Sequence, residues 1–293
     1  MATAPISADY SAITTIGVPS TPCDNTAALF NAAHVEGAIS AIDVFIENCK
    51  EINKIWTPSP TISPELGRLL LLGYVSAVES FFRTVLRSII NNDAKAQSDA
   101  HSYVVPYGAV LYQDKSIVAD ALLEGISFAG EKEVRSALNK FLDSPNLPDD
   151  FKKILTEYEK ICQLRHCCVH RFGKLGTQNG IVLGLEQHSA ALEKPLTLDK
   201  QKLEDIASWL MSFAKTMNNY MFRTLLERSV SDKNPYKLDW KWSYTRDRAR
   251  FDKFYKLFQT SKDANPSLPA KVLYERFKSV RKPRKNKPKA KGN

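Results

Sequence analysis

The sequence lacks the features of a secreted or membrane-inserted protein. Its cysteines are odd in number and lack the even spacing of a disulfide framework, so we interpret all five as reduced thiols. Residues 1–10 contain neither the basic nor the apolar segment of an export signal. The longest uninterrupted apolar stretch, residues 69–75, is much shorter than the roughly 20 residues that cross a bilayer. We therefore expect a cytoplasmic protein without a membrane partner.

The sequence is also poor in recognisable nucleic-acid or cofactor motifs. It shows no internal repeat, no RNP motif and no zinc knuckle, so nothing in it specifies which RNA sequence the chain would read. No bound metal or cofactor is expected. The chemistry must therefore be sought in a small number of side chains.

Positive charge is concentrated at the C-terminal end. The formal net charge is +9, yet residues 1–235 hold 23 Lys plus Arg against 27 Asp plus Glu. Residues 276–293 contain nine Lys or Arg and no acid, with prolines at positions 283 and 288. This composition predicts a disordered basic tail that meets phosphates non-specifically, although a solubilising tail is an alternative. The candidate RNA contacts in this region are Arg281, Lys282, Arg284 and Lys285.

Apolar residues recur at steps of three and four over most of the chain, which predicts a mainly α protein. Residues 1–25 are expected to form a flexible arm, and Asn25 is expected to cap a helix running towards Trp56. The strongest patterns predict a long buried helix over residues 66–89, a helix opened by Pro148 and Asp149, and a helix around residues 203–220. The expected fold is an antiparallel helical bundle over residues 26–234.

The remaining segments give weaker patterns. Residues 91–114 could hold a β-hairpin or an ordered loop, and residues 181–185 could form a short strand. Helices are expected over residues 116–129 and 131–142. Residues 235–275 are expected to form a helical extension rich in aromatic and basic residues, followed by the tail from residue 276.

Residues 164–172, Leu-Arg-His-Cys-Cys-Val-His-Arg-Phe, hold the densest group of reactive side chains. His166 and His170 are four residues apart, so they share one face of a helix. Metal-free cleavage of RNA needs a base for the 2′-hydroxyl, an acid for the leaving 5′-oxygen and a cation for the charge on phosphorus. Histidine and arginine suit these tasks.

Arg165, four intervening residues and His170 resemble the Arg-x4-6-His motif of the HEPN superfamily of ribonucleases. His166 stands where those proteins often carry a polar residue, and Arg171 and Phe172 also resemble bacterial members. Residues 75–82 are similar to the helix that packs against the motif helix in that family. The similar parts together cover roughly residues 26–228.

The resemblance implies a homodimer in which two motif helices face each other across one cleft. It implies that Arg165 and His170 are the catalytic pair, that His166 orients the substrate, and that products carry a 2′,3′-cyclic phosphate. Arg171 would support the site, and Glu79 would contact the catalytic arginine. Family members act in bacterial toxin or antiviral defence systems, which implies an inhibitory antitoxin or a sensor protein as a further partner.

Several alternatives stay open at this stage. Cys162, His166 and His170 lie on one helical face and could begin a zinc site. Cys167 and Cys168 could be nucleophiles, although adjacent cysteines more often fill a core. Glu79 could pair with Arg83, four residues on, as readily as with Arg165. A non-catalytic scaffold that binds RNA, nucleotide or protein through the same cleft is the competing function.

Residues 240–258 mix aromatic and cationic side chains. Arg246, Arg248 and Arg250 could grip single-stranded RNA together with neighbouring rings. Packing of an amphipathic helix against the domain is the alternative interpretation of the same pattern.

Overall fold

The structure is a computed structural model that describes residues 13–14, 23–35, 37, 39–112, 114 and 118–283. The chain divides into two compact units, residues 1–38 and residues 39–293. In the described part of the first unit, a 3₁₀ turn covers Thr26–Leu29. The second unit holds all the helices discussed below.

Across the described residues the regular structure is helical, without a β-strand. The helices are α1 Ala41–Trp56, α2 Pro64–Asn92, α3 Ala94–Ala100, α4 Tyr107–Tyr112, α5 Val118–Ala121, α6 Glu131–Leu142, α7 Asp149–Arg171, α8 Thr177–Leu183, α9 Leu185–His188, α10 Lys200–Val230, α11 Tyr244–Phe258 and α12 Ala270–Arg281. The expected mainly α class is confirmed.

Helix α2 is the centre of the fold. The Ser63 side chain caps it by accepting a hydrogen bond from the amide of Leu66, and Pro64 occupies its first turn, where a missing N–H costs nothing. Its apolar side chains are buried against α1, α7 and α10. By length and composition it could cross a membrane, yet 56% of that window is buried among the other helices. This burial is typical of a core helix.

Contacts along α2 show how its neighbours run. Phe82 packs on Phe213 of α10 at 5.9 Å between ring centroids, and Arg228 near the end of α10 pairs with Asp93 at the end of α2. These two helices are therefore parallel. Helix α7 runs the opposite way, because the chain just after it, at Gly173, lies against Arg68 near the start of α2.

Helix α7 is anchored along its middle. Tyr158 is fully buried, donates a hydrogen bond to the carbonyl of Phe128 at 2.8 Å and stacks on Phe213 at 4.5 Å. The helix ends at Phe172, whose backbone is left-handed, and Gly173 continues with φ of +92°. Residues 165–170 therefore lie on the last turns of a rigid helix, as the sequence predicts.

Two expectations at the N-terminal side are wrong. Asn25 makes no side-chain cap, and the helix that ends at Trp56 begins only at Ala41, where Ser40 accepts from the amide of Asp43. Of the two alternatives for residues 91–114, the β-hairpin is not present in the described part of this segment, which forms α3 and α4 joined by a loop. Asp93 caps α3 by accepting from the amide of Ala96, and the β-branched residues of this segment, Val104, Val105 and Val110, lie after that helix.

Other boundaries also differ. The expected strand at residues 181–185 is helical instead, in α8 and α9. The helix expected over residues 116–129 is reduced, in the described part, to α5 Val118–Ala121 followed by a turn. The helix expected over residues 131–142 is confirmed as α6.

The tail was predicted to be disordered from residue 276, and this boundary is wrong. Residues 276–281 form the second half of α12, because Tyr274 and Phe277 on the same helix are buried. Phe277 packs on Trp240 at 5.1 Å between ring centroids. The part of the tail beyond residue 283 lies outside the described residues.

Candidate active site

The last turns of α7 separate buried from exposed side chains. Cys167 and Cys168 point into the protein, whereas His166 and His170 are exposed and Arg165 is half-buried. This division follows from the 3.6-residue period of a helix that packs on one side. The sequence placed these residues on one helix end correctly.

Arg165 is oriented by Glu79 of α2. The guanidinium Nη2 lies 3.5 Å from one carboxylate oxygen of Glu79. The other oxygen of this carboxylate accepts a hydrogen bond from the hydroxyl of Ser127 at 3.0 Å. Arg83, the alternative partner of Glu79, donates instead to the backbone carbonyls of Leu123 and Ile126. Of the two interpretations of Glu79, the structure therefore contains the contact with Arg165.

The two histidines form a pair at the surface. Their ring centroids are 5.0 Å apart, with an interplanar angle of 76°. Arg165 precedes His170 by five residues, which corresponds to about 140° around an α-helix. The histidines thus share one face, while the arginine lies to its side, next to α2.

A cavity of about 660 Å³ opens beside His166 between the start of α6 and α7. Gln163 and Glu159 line it, and the Gln163 amide donates to Glu159 at 2.6 Å while accepting from Asn179 at 2.8 Å. Glu159 also accepts from the amide of Glu131 at 2.8 Å. The side chains around His166 are therefore held in a connected polar network.

Arg171 ties down the loop that follows the motif. Its guanidinium donates to both carboxylate oxygens of Glu193, at 2.7 and 2.6 Å. The same loop is closed by Leu175, whose amide donates to the carbonyl of Lys194 at 3.0 Å. In this chain Arg171 thus has a structural partner next to the candidate catalytic residues.

Arg68 belongs to this neighbourhood but was not found from the sequence. It is only 8% exposed, donates to the carbonyl of Leu196 at 3.0 Å and pairs with Glu65 at 3.0 Å. Its guanidinium carbon lies 5.5 Å from the centroid of the Phe172 ring. The only sign of it in the sequence is a single arginine at the start of the apolar stretch of α2. The spacing of residues does not predict that this arginine contacts residue 172.

The cysteines of the motif are small buried side chains. Burial raises the pKa of the Cys168 thiol to about 11 and that of Cys162 to about 12, and it also raises the pKa of Cys167. Because the thiolate is the nucleophile, this environment does not favour nucleophilic catalysis. It agrees with the core-filling interpretation.

The zinc alternative requires three or more ligands to converge. Among the residues that the structure describes, no group of three or more His, Cys, Asp or Glu side chains is arranged to hold a metal ion. Cys162 is 2% exposed, whereas His166 and His170 open to solvent, so the stripe read from the spacing does not form one pocket.

The basic residues of the C-terminal extension lie on other helices. Arg246 and Arg248 on α11 are exposed, and Arg250 donates to the carbonyl of Asp239 at 2.9 Å. On α11 the side chains of residues 251, 254 and 258 are buried, which agrees with packing of an amphipathic helix. Helix α11 packs on α1, α2, α10 and α12.

The tail residues are only partly described. Arg281 pairs with Glu227 of α10, and Lys282 follows at the end of α12 with its side chain exposed. Arg284 and Lys285 lie outside the described residues. The structure therefore places the described candidate RNA contacts on α11 and α12, away from the helix that carries the motif.

Comparison of the chain with models of protein families, with curated proteins and with solved structures finds no match.

Proposed function

We propose that this protein is a metal-independent endoribonuclease of the HEPN type, with Arg165 and His170 as its catalytic pair. The observation that carries the proposal is the arrangement at the end of α7. An arginine oriented by Glu79 lies next to a pair of exposed histidines, His166 and His170. The helix that carries them is fixed by a buried core, so the groups are held in place before substrate arrives.

These groups match the requirements of phosphodiester cleavage by the 2′-hydroxyl. One histidine accepts the hydroxyl proton while the 2′-oxygen bonds to phosphorus. The bond from phosphorus to the 5′-oxygen breaks, and that oxygen takes a proton from an acid. Arg165 stabilises the negative charge that develops on the phosphoryl oxygens. The products are a 2′,3′-cyclic phosphate and a free 5′-hydroxyl.

A homodimer is part of this proposal because it would bring a second His170 and a second Arg165 into one cleft. One imidazole cannot be both base and acid in the same step, His166 is assigned to orienting the substrate, and Arg165 lies about 140° around the helix from His170. Two α7 helices facing each other would place the arginine of one copy near the histidine of the other. Exposed apolar side chains on the last turn of α7 and on α8, at Val169, Ile181 and Val182, offer surface for this contact.

The basic C-terminal end guides RNA to the cleft in this proposal. Arg246 lies at the exposed surface of α11 and can meet phosphates, and so can the exposed Arg248 if it exchanges its ion pair with Asp252 for one with RNA. The net charge of +9 favours association with a polyanion. A nuclease of this kind must be restrained in the cytoplasm, so an inhibitory or sensing protein is part of the proposal. Its biological setting would be a toxin or antiviral defence system.

The direct test is RNA cleavage in EDTA by the wild type, His170→Ala and Arg165→Ala, with a labelled mixture of transfer and messenger RNA. We expect the wild type to leave cyclic phosphate ends, and each variant to be slower by about 10²-fold or more. His101→Ala is the matched control, since this histidine is also exposed but follows α3. Thermal unfolding and light scattering would verify that fold and oligomeric state are unchanged.

The other outcomes discriminate between functions. Equal cleavage by all four proteins would show that Arg165 and His170 are not the catalytic residues. RNA binding without cleavage by the wild type would favour the scaffold function, in which the same cleft holds RNA or a partner protein. Loss of the wild-type activity in EDTA would contradict the metal-independent mechanism.

A further inference from the structure

Phe172 holds a backbone conformation that aromatic residues rarely adopt. It ends α7 with φ of +52° and ψ of +38°, and the amide of the next residue, Gly173, bonds back to the carbonyl of Cys167 at 2.9 Å. This bond closes a seven-residue turn at the end of the helix, and the left-handed position after a helix is usually glycine. A bulky side chain there is strained, and the fold must compensate for it elsewhere.

The core does not explain the choice of phenylalanine. The residue is 79% exposed, so burial of its ring contributes little to folding. The ring contacts the Arg68 guanidinium, whose carbon lies 5.5 Å from the ring centroid. A glycine at this position would relieve the strain and lose only that contact. The exposed ring is therefore better explained by something that binds from outside the chain.

Three basic side chains lie near the ring. Arg68 lies on one side of it and also pairs with Glu65. Arg171 precedes the ring and pairs with Glu193, and the exposed Lys174 follows it in sequence. RNA can contact both features at once, because its flat, neutral bases can stack on the ring while its phosphates contact the basic side chains.

The dipole of α7 determines which part of a nucleotide can lie on the Phe172 ring. The C-terminus of α7 carries the negative end of the helix dipole, which disfavours a phosphate directly at residue 172. A neutral base meets no such penalty and can lie flat on the ring. The phosphate of the same nucleotide can then turn towards the basic side chains of the last helical turn.

We propose that Phe172 is a stacking platform for an RNA base adjacent to the cleaved phosphate, and thus a substrate-positioning residue of this site. The inference rests on the proposed function. Because every base has a flat face, such a platform accepts different sequences and fixes position more than identity. A stacking platform also requires that the substrate is single-stranded or unpaired RNA, since bases inside a duplex are not available for stacking.

The experiment measures binding separately from cleavage. In a full-length His170→Ala background, a short single-stranded RNA that contains 2-aminopurine is titrated, and both affinity and fluorescence quenching are recorded. We expect Phe172→Ala to weaken affinity by about 5- to 150-fold, the equivalent of one base stacked on an aromatic side chain. Quenching should decrease with it. Phe172→Trp should retain both signals.

Two further variants separate stacking from a structural role. Phe172→Gly relieves the left-handed strain, so it should match or exceed the thermal stability of the parent while it loses affinity as Phe172→Ala does. Tyr107→Ala removes another aromatic side chain, 73% exposed on α4, and should leave binding unchanged.

Several results would overturn the inference. Equal RNA affinity of Phe172→Ala and its parent would show that the ring does not hold a base. Dissociation of a dimer by Phe172→Ala without a change in intrinsic RNA affinity would assign the ring to a contact between copies. No RNA binding by the parent would reject the proposed function together with the inference. Binding that depends on Phe172 in a protein that never cleaves RNA would reject only the nuclease.

Discussion

Replacing Tyr274 by phenylalanine tests whether α12 is an integral part of the fold. Tyr274 is fully buried, and its hydroxyl donates to a carboxylate oxygen of Asp247 at 2.6 Å. Asp247 is fully buried too, and it accepts further hydrogen bonds from the amides of Lys241 at 2.9 Å and Ser243 at 3.3 Å. The carboxylate thus joins the loop before α11 to α12.

The expected magnitude follows from what the substitution removes. Phenylalanine fills the same space apart from the hydroxyl, so no large cavity forms. The loss is one hydrogen bond to a charged group, worth about 1.5–3 kcal/mol, and the carboxylate keeps its amide donors. We therefore expect the free energy of unfolding to decrease by about 2 kcal/mol.

Urea unfolding at pH 7 measures this difference. The midpoint should fall while the m-value stays the same, because the surface exposed on unfolding is unchanged. Tyr236→Phe is a matched control, since this tyrosine is 41% exposed and its substitution should have little effect. An unchanged midpoint for Tyr274→Phe would refute the assignment of a buried, charged anchor.

The pH dependence gives a second check on the same contact. Burial by itself raises the pKa of Asp247, but the Tyr274 hydroxyl and the backbone amides more than reverse this, and the pKa lies below its ordinary value of 3.8. The ionised carboxylate therefore stabilises the fold above about pH 4, and this contribution is lost as the pH falls through the folded-state pKa. The difference between wild type and Tyr274→Phe should narrow in acid. If the difference stayed the same in acid strong enough to protonate Asp247 in the folded protein, the Tyr274 hydroxyl would not be a partner of the ionised carboxylate.

Two further predictions concern packing and thiol reactivity. Gly67→Ala should lower the free energy of unfolding by about 1–3 kcal/mol, measured by urea titration, because the new methyl would lie 2.6 Å from the carbonyl oxygen of Leu198. Gly73→Ala, whose methyl would meet Ile52 at an ordinary 3.4 Å, should be neutral or stabilising, and an equal loss for both would contradict the steric reason. Iodoacetamide at pH 8 should modify the exposed Cys23 quickly in the native protein and the four buried cysteines only after unfolding, as followed by mass spectrometry. Fast native labelling of residues 167 or 168 would show that the end of α7 opens.

The helices that the sequence predicted well are those whose apolar period is long enough to define one buried face. Helices α2, α7 and α10 each bury such a face against the others. The short helices were not predicted, because local hydrogen bonds and not a long apolar period determine whether they form. In α3 the side chain of Asp93 supplies a cap, and the β-branched residues of α8 do not prevent a short helix between Gly176 and Gly184.

The tail shows how composition misplaces a boundary. From residue 276 onwards half of the residues are basic and none is acidic, and this composition predicts disorder. Tyr274 and Phe277 nevertheless hold α12 by contacts with Asp247 and Trp240, some 27 and 37 positions earlier in the chain. Such partners are invisible to a window of neighbouring residues, so the helix extends past the point where composition alone would end it.

At the site, the sequence found the residues that share one helix and, through the family resemblance, Glu79 of α2, but it missed Glu193 and Arg68. Spacing placed His166 and His170 on one face, and their rings do meet. The partnership of Arg171 with Glu193 and that of Phe172 with Arg68 depend on how the chain returns to α7. Only the folded structure brings these side chains together.

The construction of α7 makes its function testable apart from its stability. Its middle is fixed by buried groups, with Leu155 and Tyr158 fully enclosed and Cys162 only 2% exposed. Its last turn carries exposed imidazoles that contribute little to the core. Substitution of His166 or His170 should therefore change chemistry with little loss of folding free energy, within about 0.5 kcal/mol for exposed positions. Because Arg165 is half-buried beside Glu79, its removal leaves a carboxylate without its cation, so Arg165→Ala should lose more folding free energy than the histidine variants do.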